Sequence, residues 1–348
     1  MGFDPMKTMQ TKNRNRTLDV IKGIAILLVL FTHYEWTGEQ RQFFVFPYIV
    51  DMAIPIFMIL SGYTYSMSFE RHGIKCFADA YKLKNLTGKI IRYTVPFLIL
   101  VVWEIFDKNI YLSSHEPLYV LRWLLNGTEG KGSYYYPVLV QLVFFFPVIY
   151  FVIQKLGDVK GMLICLGANA VYELLRWSYG MGDECYRLLM FRYILLLGVG
   201  VCTYRGYKFK PVPAFVITLV GAFFIAATAY LGYVPRIITS WTSTCFISVM
   251  WIIPLTSWMI QNLKLGFMPL EVIGRASYHI FLVQMVYYLG YYEKVKGLVS
   301  KRIASGDAVH LILGMIICVM VGVLFYKGSD PMNYGRIIHK QRIHNSIL

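Results

Sequence analysis

Charge is what this sequence has least of. Of its 348 residues only 15% are Asp, Glu, Lys or Arg, against about 25% in ordinary soluble domains. Acids are scarcer still, 19 against 34 basic residues, for a net charge of +15. Apolar residues make up 57% of the chain and aromatic ones 16%. A soluble fold leaves roughly 45% of its surface to polar atoms, and this composition cannot supply them. A soluble globular enzyme, a disordered chain and a collagen-like chain are excluded. Cysteine is sparse too: six residues, with no CxxC pair and no Cys/His spacing suited to a metal. Tandem repeats and low-complexity tracts are missing, and the longest polar stretches, 69–89 and 107–132, are too short for a second domain. The positive charge does not point to nucleic acid, because the basic residues lie in short clusters between apolar runs and not along one soluble face.

What is present is a series of apolar runs of the length that crosses about 30 Å of hydrocarbon as helix. They lie near 20–36, 46–68, 90–106, 133–154, 159–175, 186–204, 212–232, 240–260, 271–292 and 308–326, the fifth interrupted by Asn169 and Glu173. The expected fold is an all-α polytopic membrane bundle of about ten transmembrane helices. Lys and Arg between runs number twenty on one side and eleven on the other, which places both termini in the cytoplasm. The segment 293–307 runs against this, with four positive charges outside. The first run carries Lys22 and His33 and no small-x-small cleavage site, so it is not a cleaved signal peptide. The expected organisation is a basic cytoplasmic N-terminus over 1–18, a membrane domain over 19–326 and a basic tail over 327–348.

Ionisable side chains in lipid cost several kcal/mol unless paired or facing water, so function is sought among them. Lys22 and His33 are eleven residues apart on the first run. That is close to three helical turns, which puts them on one face about 16 Å apart. Lys22 is then near the cytoplasmic entrance and His33 deep. Asp19, one turn below Lys22, is a natural ion-pair partner for it. His33 reads either as a catalytic imidazole or as a histidine hydrogen-bonded between helices. Lys89 and Arg92, at i and i+3, share a face at the inner boundary. They read as positive-inside anchors or as a clamp for phosphates. Ser61-Gly62 lets helix backbones approach closely; Ser61 as an acyl-carrying nucleophile has no base spaced to it. Glu35, Asp51, Glu104 and Glu173 lie near outer ends, where each alone is expected to face headgroups or water. Asp51, at a depth similar to His33, is the candidate to fix its tautomer. Gln141, Arg192 and Gln284 either line a polar cavity or bridge helices.

These residues resemble the opening of the membrane acyltransferase-3 family. Arg16, Asp19, Lys22-Gly23-Ile24-Ala25 and His33 match its basic residue, ten positions, then His. Phe57…Ser61-Gly62-Tyr63 looks like its second-span motif. Lys89-Ile90-Ile91-Arg92 followed by Pro96 resembles its basic-x-x-Arg motif, with Lys where Arg is commoner. Gly274…Ser277-Tyr278-His279-Ile280-Phe281-Leu282 is similar to its late Ser-Tyr-x-Ile-x-Leu motif. Tyr134-Tyr135-Tyr136…Gln141-Leu142 departs from the family's Trp-Phe-Leu pattern, and Gln284 stands where a His is common. The resemblance covers nearly the whole chain and implies a stand-alone member in the plasma (inner) membrane of a bacterium. It implies transfer of an acyl group, usually acetyl, from cytoplasmic acetyl-CoA or another acyl-CoA to a hydroxyl of a cell-surface or lipid-linked glycan. No metal is expected. The implied sites are His33 and Asp51 for catalysis, Lys22, Lys89 and Arg92 for the donor, and Glu104, Gln141 and Arg192 for the acceptor. His33 would act as general base or carry the acyl group itself. The alternative from another class is a secondary transporter or exporter, since intramembrane Lys, His and acids also mark transport paths; the internal symmetry common in transporters is not visible.

Overall fold

Leu, Ile, Val and aromatic residues fill the apolar runs, and within the described residues these runs are largely helical, the start of the eighth (240–244) lying outside them. The computed structural model describes residues 15–107, 123–233, 245–300 and 306–329, so most of the basic N-terminus, most of the tail and the outer stretch 108–122 lie outside the described residues. Every regular element among the described residues is helical. The first half of the chain is α1 (Arg16–Thr32), the short α2 (Gly38–Phe43), α3 (Ala53–Arg71), the short α4 (Phe77–Ala80), α5 (Leu83–Asp107), α6 (Tyr135–Leu156) and α7 (Asp158–Ser178). There follow α8 (Asp183–Leu188), a 3₁₀ turn (Met190–Tyr193), α9 (Ile194–Tyr204), and α10 (Pro211–Ile225), which runs on into a π-helical turn. A second 3₁₀ turn (Ser248–Trp251) leads into α11 (Ile252–Asn262). The chain closes with α12 (Met268–Arg275), α13 (Ser277–Val286), a π-turn (Tyr287–Tyr291), α14 (Tyr292–Ser300) and α15 (Gly306–Ser329).

Three stretches, Tyr135–Leu156, Pro211–Tyr230 and Ala308–Ser329, are long and apolar enough by length and composition to cross a membrane. Their outward faces are apolar: Phe223 is 70% exposed and Leu324 64%. Exposed apolar bands of this extent belong to a protein solvated by lipid. The expectation of ten continuous spans meets a difference. The sixth run is divided between α8, a 3₁₀ turn and α9, and the ninth between α12, α13 and a π-turn. Broken backbone at membrane depth needs partners buried in protein. For the sixth run two side chains supply them. Gln141 of α6 donates to the Leu188 carbonyl at 2.7 Å and accepts from the Met190 N–H at 3.1 Å. Asn169 of α7 donates to the Phe191 carbonyl at 2.8 Å and accepts from the Leu195 N–H at 2.7 Å.

Two helix crossings organise the core, both made by glycine. A Cβ at Gly62 on α3 would fall 3.0 Å from the Leu197 carbonyl carbon and 3.1 Å from the Gly200 Cα on α9. That confirms the close-packing role read from Ser61-Gly62. On α12, a Cβ at Gly274 would fall 2.7 Å from the Asp19 carbonyl carbon and 2.9 Å from the Gly23 nitrogen on α1. Contact between backbones is how membrane helices gain packing without a hydrophobic drive. Around the second crossing α1 and α12 are tied by charge. Glu271, buried, pairs with Arg16 at 2.7 Å and with Arg275 at 3.3 Å. Asp19, expected to pair with Lys22, has an ion pair with Arg275 at 3.6 Å.

Candidate active site

Helix α1 closes on its cap His33, whose N–H donates to the Leu30 carbonyl at 3.3 Å, and side chains from elsewhere also reach its last carbonyls. The Tyr288 hydroxyl donates to the Leu30 carbonyl at 3.1 Å, the Trp36 indole to Phe31 at 2.6 Å, and the Lys131 ammonium to the His33 carbonyl itself at 3.0 Å. The imidazole, half-buried, is bounded by Tyr288, whose ring centroid is 5.9 Å away, and by Gly132. Gly132 has φ +87°, a left-handed conformation suited to glycine. A Cβ there would sit 3.4 Å from His33 Nε2 and 3.1 Å from the Phe281 ring. The charge that bears on His33 is that of Lys131. The π-turn Tyr287–Tyr291 adds one residue per turn locally, a feature common at functional sites. It sets Tyr288 against α1 while Tyr287 faces His310, 3.5 Å away.

At the other end of the bundle the Lys89 ammonium lies over two rings, 4.7 Å from the Tyr65 centroid and 4.4 Å from that of Phe69. Arg92, exposed, acts electrostatically on the same Tyr65. The two cations of the Lys-x-x-Arg motif therefore converge on one tyrosine. From it a line of aromatic contacts leads inward. The Tyr65 hydroxyl donates to that of Tyr93 at 3.4 Å, and the Tyr278 hydroxyl to the Tyr93 carbonyl at 2.8 Å. Tyr135 lies within electrostatic reach of Tyr93, and its ring is 5.0 Å from Phe281, which touches Gly132 beside His33. Helices α3, α5, α6 and α13 thus set buried Tyr65 and Tyr135 and half-buried Tyr93 and Tyr278 between the cation pair and the imidazole. A cation pair on one side, an imidazole on the other and an aromatic seam between them suit an anionic ligand with a long thin arm.

A profile of the acyltransferase-3 family, an acyltransferase domain, matches residues 15–327. The chain belongs to that family. No curated protein and no solved structure matches it.

The remaining expected residues of this acyltransferase are placed as follows. Lys22 is half-buried on α1, on the helix that ends at His33. Asp51, expected beside His33, is in an ion pair with Arg41 at 3.4 Å, and Arg41 lies over Phe46 at 4.4 Å. Gln141, expected at the acceptor, spends donor and acceptor on the broken sixth run. Arg192 is buried, its guanidinium 4.9 Å from the centroids of both Tyr186 and Tyr193. Glu104 and Glu173, expected to face headgroups or water, are each 2% exposed. Both are accommodated by hydroxyl donors: Thr128 to Glu104 at 3.1 Å, and Tyr186 to Glu173. Glu35 does stay exposed and pairs with Lys296 at 2.7 Å, and this hydrogen bond holds the Lys296 ammonium above its usual range.

Sequence reasoning missed Lys131, Gly132, Tyr288 and the seam Tyr65–Tyr93–Tyr278–Tyr135. Lys131 counted there as one outer charge among several. The seam had one visible signal, 27 tyrosines in a chain of 348 residues. Their contacts with one another are set by packing between distant helices.

Proposed function

We propose that the protein is a multi-pass plasma-membrane O-acyltransferase, with both termini in the cytoplasm, that moves an acetyl group from cytoplasmic acetyl-CoA to a hydroxyl of a cell-surface or lipid-linked glycan. The observation that carries this reading is the series of tyrosines lying between the Lys89–Arg92 pair and His33, within a chain of the acyltransferase-3 family. CoA is strongly anionic at one end and carries its thioester on a slender arm. Lys89, Arg92 and Lys22 hold the phosphates at the inner face. The arm lies along the tyrosine seam, whose rings offer apolar faces and whose hydroxyls offer hydrogen bonds. The thioester then reaches the imidazole, whose ring nitrogen can accept a proton as a general base. His33 either takes the proton of the acceptor hydroxyl or carries the acyl group. Its backbone is pinned by the Lys131 bond, and Tyr288 and Gly132 bound its ring. The rate gain from such positioning is large.

The test is release of CoA thiol and transfer of labelled acetyl by the purified protein in nanodiscs, given acetyl-CoA and a glycolipid extract of the expressing cells. Wild type is expected to transfer, and His33→Ala to lose transfer by at least a hundredfold while still binding acetyl-CoA. Normal transfer in His33→Ala removes the imidazole from the reaction. Flux of a glycan across proteoliposomes with no acyl consumption would make the protein a transporter instead.

A further inference from the structure

A loop with unusual backbone is pressed against His33. Thr128 has φ +76°, a strained value for a residue with a Cβ, and its hydroxyl is tied to the buried Glu104 carboxylate. Gly130 abuts α13 so closely that a Cβ would fall 2.7 Å from that of Met285. Gly132 touches Phe281 and His33 in the same manner. Between these two glycines stands Lys131. Its own carbonyl accepts from Gln284 Nε2 at 2.9 Å, and Gln284 is fully buried. Its ammonium bonds the His33 carbonyl and lies 5.2 Å from the Tyr288 centroid and 5.7 Å from that of Tyr292. Buried groups on α5 and α13 hold a solvent-reaching cation on the carbonyl of His33, the residue that caps α1. Glu35, the acid that also feels Lys131, is engaged by Lys296, so the Lys131 charge is not cancelled by it.

An ammonium has three donors, and the His33 carbonyl takes one of them. We propose that Lys131 is a further catalytic residue of the acyl transfer: a second N–H of its ammonium donates to the thioester carbonyl oxygen as that oxygen becomes negatively charged. This inference rests on the reading of His33 given above. In the direct route the acceptor O–H gives its proton to the imidazole, its oxygen bonds the acyl carbon, and the carbonyl electron pair moves onto oxygen beside Lys131. The pair then returns, the carbon–sulfur bond breaks, and the leaving thiolate takes the proton from the imidazolium. If His33 carries the acyl group, its nitrogen attacks first and the thiolate leaves; the acceptor oxygen then attacks the acyl-imidazolium carbon, its proton passes to the thiolate and the neutral nitrogen departs, so the same oxygen is charged in both halves. Lys131 serves either route. A plain alternative is that Lys131 only tethers the loop to the end of α1, as a cation does at a helix C-terminus.

Three variants separate these. Lys131→Gln keeps a donor for the His33 carbonyl and removes the charge; Lys131→Arg keeps both; Lys131→Met keeps neither. Each is reconstituted in nanodiscs, and thiol release from acetyl-CoA, to glycolipid or to water, gives kcat and the donor KM. Removal of one preorganised donor to an oxyanion costs about 10²–10³ in rate. Gln and Met are therefore expected to lose about a hundredfold in kcat with donor KM within twofold, and Arg to recover to within about tenfold of wild type. Gln at the wild-type rate reduces Lys131 to a tether, and Arg as slow as Gln removes the charge from the argument; either overturns the proposal. Loss that appears in KM alone also overturns it, since the phosphate clamp lies at the opposite end of the seam. Wild-type protein that releases no thiol sinks the acyltransferase reading, whereas failure confined to these variants leaves that reading standing.

Discussion

Replacing Gly274 by alanine adds one methyl group where α1 and α12 meet backbone to backbone. The new carbon falls 2.7 Å from the Asp19 carbonyl carbon and 2.9 Å from the Gly23 nitrogen, where ordinary contact begins at 3.4 Å. The Asp19 carbonyl oxygen lies closer still, so the two helices must part by more than about 0.7 Å. Overpacking costs about 1–3 kcal/mol when side chains absorb it. Here main chain lies on both sides and no rotamer relieves the clash, so the expected cost is the upper figure, about 3 kcal/mol. Separation also stretches the Asp19–Arg275 pair and the hydrogen bonds that Thr17 Oγ1 makes with the Leu263 carbonyl at 2.9 Å and the Leu265 N–H at 3.0 Å. At roughly 2 °C per kcal/mol for a chain of this size, the melting midpoint in detergent falls by about 6 °C. Gly167→Ala is the matched control. It is the same chemical change on exposed α7, with nothing within 4 Å of the new carbon, and helix propensity makes it neutral or stabilising by up to about 1 kcal/mol. Thermal unfolding followed by far-UV circular dichroism compares the two. Equal midpoints for Gly274→Ala and Gly167→Ala would refute a backbone crossing at this place.

Other expectations follow from the same contacts. Lys89→Ala combined with Arg92→Ala removes two charge-assisted contacts of about 1.5–3 kcal/mol each; the donor KM should rise at least tenfold with kcat changed less, and steady-state kinetics showing the reverse would contradict the clamp. Gln141→Leu strands the Leu188 carbonyl and the Met190 N–H, at about 1–3 kcal/mol for each buried group, so it should lower the unfolding midpoint and leave acceptor KM unaltered. A raised acceptor KM with unchanged stability would restore Gln141 to substrate binding. Thr128→Val deprives the buried Glu104 of a donor and loosens the loop behind Lys131; a stability loss of about 1–3 kcal/mol should come with a lower kcat, and glycolipid acylation at the wild-type rate would show that the loop does not serve the site.

Period and composition determined most of the architecture. Apolar runs of membrane length become helices because backbone polar groups in lipid must bond within their own segment, and that rule is local. The packing role of Gly62 was legible too, since the absence of a Cβ permits close approach of two backbones. Partner choice was not local. Asp19 has a helical neighbour in Lys22, and its ion pair with Arg275 arises because the Gly23–Gly274 crossing brings α12 against it. Glu104 and Glu173 look like surface acids until Thr128 and Tyr186, far along the chain or beyond a break, supply donors that make burial tolerable. Gln141 reads as either a cavity residue or a bridge between helices until the sixth run breaks beside it and its amide is taken by the backbone. Lys131 is one outer charge in the sequence; its place at His33 arises from two glycines, one buried glutamine and a π-turn on three separate elements. Spacing along a helix carries information over about a dozen residues, whereas the cost of an unpaired polar group in a low-dielectric interior is settled by whichever chain segment packing delivers to it.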